Sequence, residues 1–356
     1  MNALQKLQHR LTDADAPALI VSDIVNVGWM TGFSGSSGVV LVTPSEARFL
    51  TDSRYTIQAQ EEISTMPSFS FASPMSQIDF VAQHAKEMGI SKLAFESENL
   101  TYSTFESWRD AMAGIELVPM RNLVSPLRMV KTADEVALIR HACGISDAAF
   151  EHVKRLIQPG VAELDIAIEL DFFMRRQGAG VAFETIVVSG NRSARPHGRA
   201  SEKKLEVGDF VTMDFGARYQ GYNSDMTRTV VVGEATDRHR EVYGQVLKAQ
   251  LASLAMMRPG VPARDVDAHA REVFDEIGLA KYFGHGLGHG LGRLVHDTGR
   301  LSSSSDDILE PGQVWTVEPG VYIEGFGGVR IEDDVVVTET GIDILNRTPK
   351  DLLVLP

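Results

Sequence analysis

The stretch GHGLGHGLGRLVHD, residues 284–297, places His285, His289 and His296 among five glycines. Imidazole can ligate a metal, accept a proton or donate one near neutral pH. His285 and His289 stand four apart, the spacing of a helical zinc pair. Glycine at 284, 286, 288, 290 and 292 argues against a helix. Such alternation reads as extended chain, in which an even step puts His285 and His289 on one face. His296 lies an odd seven residues beyond His289. It joins them only if the chain bends, and Gly292 is the place for that bend.

Four carboxylates could complete such a site. In FVTMDFGARYQGYNSDMTRTVVVG (210–233), a four-residue turn RYQG pairs Ala217 with Tyr222 and sets Asp214 opposite Asp225. In VWTVEPGVYIEGFGGVRIEDDVVVT (314–338), a turn centred on Gly325 sets Glu318 opposite Glu332, although Pro319 and Gly320 interrupt the strand pattern. Like charges directly opposite destabilise a strand pair, and burying an unpaired carboxylate is unfavourable. The bland alternative is that these acids lie on an exposed outer face. Alternation speaks against it: Asp214 shares parity with Thr212 and Gly216, while Met213 and Phe215 face the other way. Buried pairs of acids need protons or cations. Four carboxylates and one neutral imidazole suit two divalent ions about 3.5–4 Å apart. The oxygen-rich set favours Mn²⁺ or Co²⁺, with Zn²⁺ as the alternative.

The elements that must position these residues follow from periodicity. Residues 157–167, IQPGVAELDIA, recur as MRPGVPARDVD at 257–267. LEVGDFVTMDFG (205–216) recurs as LEPGQVWTVEPG (309–320), which aligns Asp214 with Glu318. Each half reads helix, helix, strand, turn, strand. Two ααββ units predict a pseudo-twofold domain with a curved sheet inside and helices outside. Before it, strand signals at 16–22, 37–43, 47–53 and 92–97 mix with helix signals at 77–89 and 103–114. MNALQKLQHRLTDAD (1–15) has an amphipathic helix pattern. Thr132 and Glu135 form an S/T-x-x-E box that opens a further helix. The expected division is an N-terminal α/β domain, 1–125, and a catalytic domain, 126–356.

MDFGARYQGYNSDMTRT, GHGLGHGLGRLVHD, TVEPGVY and GGVRIEDDVVV together resemble the successive motifs of the pita-bread metallopeptidases. GFSGSSG (32–38) and TDSRY (51–55) are similar to the creatinase/prolidase type of N-terminal domain. The resemblance implies an α+β fold of two pseudo-symmetric ααββ halves behind a smaller α/β domain. It implies that Asp214, Asp225, His289, Glu318 and Glu332 are ligands of two metal ions, with Asp225 and Glu332 bridging. It further implies catalytic roles for Glu318 as proton acceptor, His296 at the oxyanion and His197, and substrate contacts for His285, Tyr322 and Arg330. Arg330 could instead be only an ion-pair partner holding Glu332 or Asp333. Asp297 stands where the family usually has glutamate. TGRLSSSSDDILEPG departs from the proline-containing stretch expected there, which bears on specificity.

The resemblance leaves several activities open. The leading expectation is an aminopeptidase P-like enzyme that cleaves an N-terminal residue from proline. The alternative is an Xaa-Pro dipeptidase. Dipeptidases need a group that captures the free carboxylate behind proline, and Arg293 and Arg300 are the candidates. A methionine aminopeptidase and a non-enzymatic binding protein on the same fold complete the set. Proline-containing peptides or dipeptides and a second copy in a homodimer are the expected partners. A formal net charge of −14 argues against nucleic acid or an anionic membrane. The lone Cys143 excludes an internal disulfide, and no segment reads as a signal or a membrane span, so the expected location is cytoplasmic.

Overall fold

In the computed structural model, which describes residues 1–14 and 16–356, the chain divides into two units, Met1–Arg128 and Met129–Pro356. Asp15, the last residue of the amphipathic N-terminal segment, lies outside the described residues.

The first unit is built on a six-stranded mixed sheet. Its order is Ser68–Phe71, Ala47–Asp52, Val39–Val42, Leu19–Val21, Lys92–Glu96 and Glu116–Met120. Both faces are covered. Leu19 and Val21 pack with Leu7, Leu11 and Phe49 on one side, while Ile20 packs with Phe80, Leu93 and Trp108 on the other. The expected strands and helices are all present, at Gln77–Glu87 and Tyr102–Ala111 for the helices. The helix Ala3–Asp13 is opened by an Asn2–Gln5 capping box. A helix at Ile24–Thr31 was not expected; its short apolar run lacks an amphipathic stripe.

The second unit carries the repeat. Ala133–Val153, opened by the Thr132–Glu135 capping box, and Glu163–Arg176 form the first helix pair. Asp237–Met256 and Ala263–Asp275 form the second. In the first half, strands Ile186–Ser189, Phe210–Phe215 and Met226–Val232 lie side by side, followed by Val354–Leu355. In the second half the order is Asp297–Leu301, Gly288–Gly290, Val314–Val317, Asp333–Val337 and Ile342–Ile344. Each half has its own core: Met213, Phe215 and Val230 pack with Ile166 and Leu170, and Trp315, Val317 and Val335 pack with Val246, Val266 and Phe274. The opposite sheet faces, bearing Thr212, Thr227 and Thr229, are free to line a polar interior. Cys143 is fully buried in the Ala133–Val153 helix. Among the described residues, no helix is long and apolar enough to cross a membrane.

One register differs from expectation. The first hairpin turns on two residues, Gln220 and Gly221, with φ of 46° and 84°. Tyr219 pairs with Tyr222, and Asp214 pairs with Thr227 rather than Asp225. Both central residues are left-handed, as in the type I′ turn whose twist suits a tight hairpin. The correction is a shift of two, which leaves every side chain on its own face. Asp225 therefore still faces the same interior as Asp214, diagonally instead of directly. In the second hairpin, Gly320 pairs with Arg330 and Val317 with Asp333. Glu318 and Glu332 thus fall opposite each other as expected, at the junction where the strand is interrupted.

Candidate metal centre

The histidine stretch bends where its glycines allow. Gly288–Gly290 runs antiparallel to Asp297–Leu301, with His289 across from Arg300 and an irregularity between His289 and Gly290. The turn between them folds back on itself, and the backbone and side-chain nitrogens of Asn223 both donate to the Gly292 carbonyl, at 2.9 and 3.0 Å. A side chain at Gly290 would sit 1.9 Å from the Thr298 carbonyl, so only glycine permits this approach. The reversal brings the His296 ring to 4.4 Å from the His289 ring, edge to face.

His289 is buried, and burial pushes its imidazole down to a pKa of about 3. The ring is neutral, so its contacts with Asp225 (3.6 Å) and Glu318 (3.4 Å) are not ion pairs. Its Nδ1–H donates to the Gly290 carbonyl at 3.1 Å, which leaves the Nε2 lone pair aimed at the acids. Asp225, His289 and Glu332 each offer an atom within 4.8 Å of the others. Burial, with Glu332 beside it, holds the Asp225 carboxyl far above the usual range. Burial, with Glu318 beside it, does the same to Glu332, whose Oε2 accepts from the Thr227 hydroxyl at 2.6 Å. Burial also pushes Glu318 up to about 8, although the Arg330 charge opposes the shift. Asp214 accepts from Arg330 through Oδ2, while its Oδ1 is buried with no hydrogen-bond partner. Clustered acids, a neutral imidazole and an orphaned acceptor are a donor set that divalent cations fit.

A second network lines one side. Arg330 donates to Thr227 Oγ1 (2.9 Å), Tyr322 Oη (2.8 Å) and Asp214. Its partner is therefore Asp214, and Asp333 belongs instead to Arg228. His285 donates from Nδ1 to the Gly286 carbonyl (2.8 Å), so its Nε2 accepts from the Tyr322 hydroxyl at 3.0 Å. Burial pushes His285 down to about 4 and Tyr322 up to about 12. A pocket of about 650 Å³ opens over the cluster. All ten site residues inferred from the sequence line it, His197 and His296 included, together with Arg300, Phe183 and Thr185. Arg293 does not; it stacks on Tyr222, 5.3 Å from the ring centroid.

Residues 137–339 match the model of metallopeptidase family M24. The chain belongs to that family. Residues 4–130 match the creatinase/prolidase N-terminal domain, so this M24 chain has both parts of the expected architecture. An Xaa-Pro dipeptidase from Bacillus anthracis superposes with a TM-score of 0.96 at 44% identity, covering 99% of each chain. An X-Pro aminopeptidase from Thermotoga maritima superposes with a TM-score of 0.90 at 38% identity, covering 95% of this chain and 97% of its own. An Xaa-Pro dipeptidase of Pyrococcus furiosus is 35% identical over 98% of this chain and 99% of its own. The protein is an M24 metallopeptidase with a site for divalent cations.

The sequence reading missed the supporting layer of this M24 site. Thr227 and Thr316 are examples: the Thr316 hydroxyl accepts from His289 N at 3.0 Å and reaches Glu318 Oε1 at 3.3 Å. Asp334 is another, accepting the Asp225 N–H at 2.8 Å. The even spacing of Thr227 from Asp225, and of Thr316 from Glu318, places each on the same face as that acid; that was the available signal.

Proposed function

We propose that this chain hydrolyses Xaa-Pro dipeptides. The aminopeptidase P-like expectation gives way to its alternative, which the named activities of the Bacillus anthracis and Pyrococcus furiosus relatives favour. The observation that carries this reading is Arg300. It lines the pocket, and its charge is felt at both His289 and His296. Its Nη1 holds the Asp297 and Gly299 carbonyls at 2.7 Å each. Among the described residues its Nε and Nη2 have no hydrogen-bond partner, which suits capture of a carboxylate.

Asp214, Asp225, His289, Glu318 and Glu332 would hold two ions, Mn²⁺ or Co²⁺, with Zn²⁺ the alternative and Asp225 and Glu332 as bridges. Bound divalent ions supply Lewis acidity that activates water and polarises the scissile carbonyl. Glu318, steadied by Thr316, takes the proton from the attacking water and passes it to the departing proline nitrogen. His296, reaching into the pocket beside His289, donates to the developing oxyanion. Proline has no amide N–H, so the dipeptide is held through its carbonyl and its two ends. His197 and His285 line that space, and Tyr322 and Arg330 fix His285. A homodimer and a cytoplasmic location complete the proposal, to be checked by light scattering and cell fractionation.

Turnover of Ala-Pro and Ala-Pro-Ala by chelated protein resupplied with Mn²⁺ tests the reading. Ala-Pro should be cleaved and the tripeptide spared. Arg300→Met should raise KM for Ala-Pro by about tenfold or more, the weight of one charged hydrogen bond. Rapid cleavage of the tripeptide restores the aminopeptidase reading.

A further inference from the structure

The Glu163 carboxylate is fully buried at the start of the Glu163–Arg176 helix, outside the metal centre. It gathers an unusual number of donors. Oε1 accepts from Ser189 N (2.7 Å) and Ser189 Oγ (2.8 Å). Oε2 accepts from Ser201 N (3.2 Å), Ser201 Oγ (2.7 Å) and Arg192 Nε (3.1 Å). Arg192 in turn donates from Nη2 to the Arg199 carbonyl at 2.6 Å. Ser189 and Ser201 are the two ends of the segment that carries His197 and Arg199 into the pocket. One carboxylate therefore closes that loop at both ends and, through Arg192, along its return.

The other half repeats the device. Asp267, fully buried on the repeat-equivalent helix Ala263–Asp275, accepts from Arg271 Nε (2.8 Å), Arg271 Nη2 (3.1 Å) and Leu287 N (3.0 Å). Arg271 then donates to the His285 carbonyl (2.6 Å) and the Phe283 carbonyl (3.2 Å). In each half, a carboxylate on the second helix and one arginine hold the segment that presents a pocket histidine.

We propose that Glu163 is a positioning residue for the peptidase reaction, acting through His197 by fixing the 189–201 loop. This rests on the reading that His197 faces the dipeptide. The loop contributes no ligand to the cation cluster, so its displacement lowers turnover without emptying the site. A shift of about 1 Å at a substrate-positioning group costs up to 10²-fold in rate.

The test is a double-mutant cycle of Glu163→Gln and His197→Ala, with Ala-Pro turnover, Mn²⁺ content and tryptic cleavage of the metal-free protein as readouts. Glu163→Gln should lower kcat/KM about 10- to 100-fold with Mn²⁺ content retained. In the His197→Ala background, it should cost less than about twofold. Additive losses would overturn the proposal, as would loss of Mn²⁺ in step with activity. Trypsin should cut Glu163→Gln faster at Arg192 and Arg199 and no faster elsewhere. If the wild-type protein fails to cleave Ala-Pro, the dipeptidase reading has failed. The cleavage pattern still judges the loop: unchanged rates at Arg192 and Arg199 overturn its fixation by Glu163. If Glu163→Gln does not fold, Arg192→Met takes its place in the same cycle, with cleavage read at Arg199 alone, since Arg192 is partly exposed and its loss leaves four donors on the carboxylate.

Discussion

Asp225, Glu318 and Glu332 hold their protons more tightly in the folded, metal-free protein than in the unfolded chain, because burial and mutual repulsion disfavour their charges. For Glu318, the stabilisation linked to this shift is fully present below the ordinary value of 4.5 and is lost as pH rises through about 8. His285 and His289, depressed by burial to about 4 and about 3, run the other way: their contribution is present above 6.5 and lost on acidification. Between pH 6.5 and about 8, the histidine contribution is constant and the carboxylates decide the slope. Chelated protein should therefore lose thermal stability across that interval. Protein saturated with Mn²⁺ should not, since the cations take the place of the protons. A flat melting profile for the chelated protein would contradict the clustering of these acids. At the same scale, Asp225→Asn or Glu332→Gln should remove bound metal and Ala-Pro turnover together, as metal analysis beside an activity assay will show. Retained activity in either variant would contradict the proposed bridging role.

At the scale of elements, the first hairpin shows what local pattern does and does not encode. Its turn places Gln220 at φ 46°, a conformation that glycine and asparagine adopt far more readily. Gln220→Asn should raise stability by a fraction of 1 kcal/mol, lifting the melting temperature by about 1 °C. Gln220→Val should lower it, and calorimetry distinguishes the two. Because glutamine hides the turn, the sequence suggested four loop residues where the chain uses two. The site survived that error because strand periodicity fixes which face a residue occupies, and a slip of two preserves it. The bend after Gly292 was legible for a related reason: the odd step to His296 could not be met by straight chain. The arginine network was only half legible. Arg330 was visible as an ion-pair candidate, but its pairing with Asp214 depends on how two separate hairpins meet. The helix pairs and their Thr132–Glu135 cap were readable from repeat and capping pattern alone. The strand order of the first unit was not, because which strands neighbour one another is set by long-range packing.

At the scale of the catalytic unit, the candidate cation site belongs to neither half alone. Asp214 and Asp225 come from the first repeat, and His289, Glu318 and Glu332 come from the second. What joins them is a buried clasp. Arg228, on the strand Met226–Val232, donates to Asp333 at 2.7 Å and to the carbonyls of Glu332 and Thr348. Gln250 and Lys350 complete the Asp333 carboxylate at 2.9 and 2.6 Å. Glu332 N also donates to the Thr227 carbonyl at 3.1 Å, so this acid is fixed to the opposite repeat by its own backbone. Arg228 and Asp333 are both almost wholly buried, at 2% and 1% side-chain exposure. Breaking such a pair from one side costs about 3–5 kcal/mol when it leaves a charge uncompensated; Lys350 still faces Asp333, which puts the loss at the lower end, about 3 kcal/mol, whereas replacing both partners with apolar groups is often close to neutral. Arg228→Met should therefore destabilise the protein by about that amount in urea and weaken Mn²⁺ binding, because the two ligand sets lose their common register. Arg228→Met combined with Asp333→Leu should recover part of the stability but not the metal affinity, since the Glu332 carbonyl still lacks its guanidinium partner. A double variant no more stable than Arg228→Met would show that the clasp stabilises through its surroundings rather than through the charge pair. One that regained full Mn²⁺ affinity would show that the two repeats find their register without it.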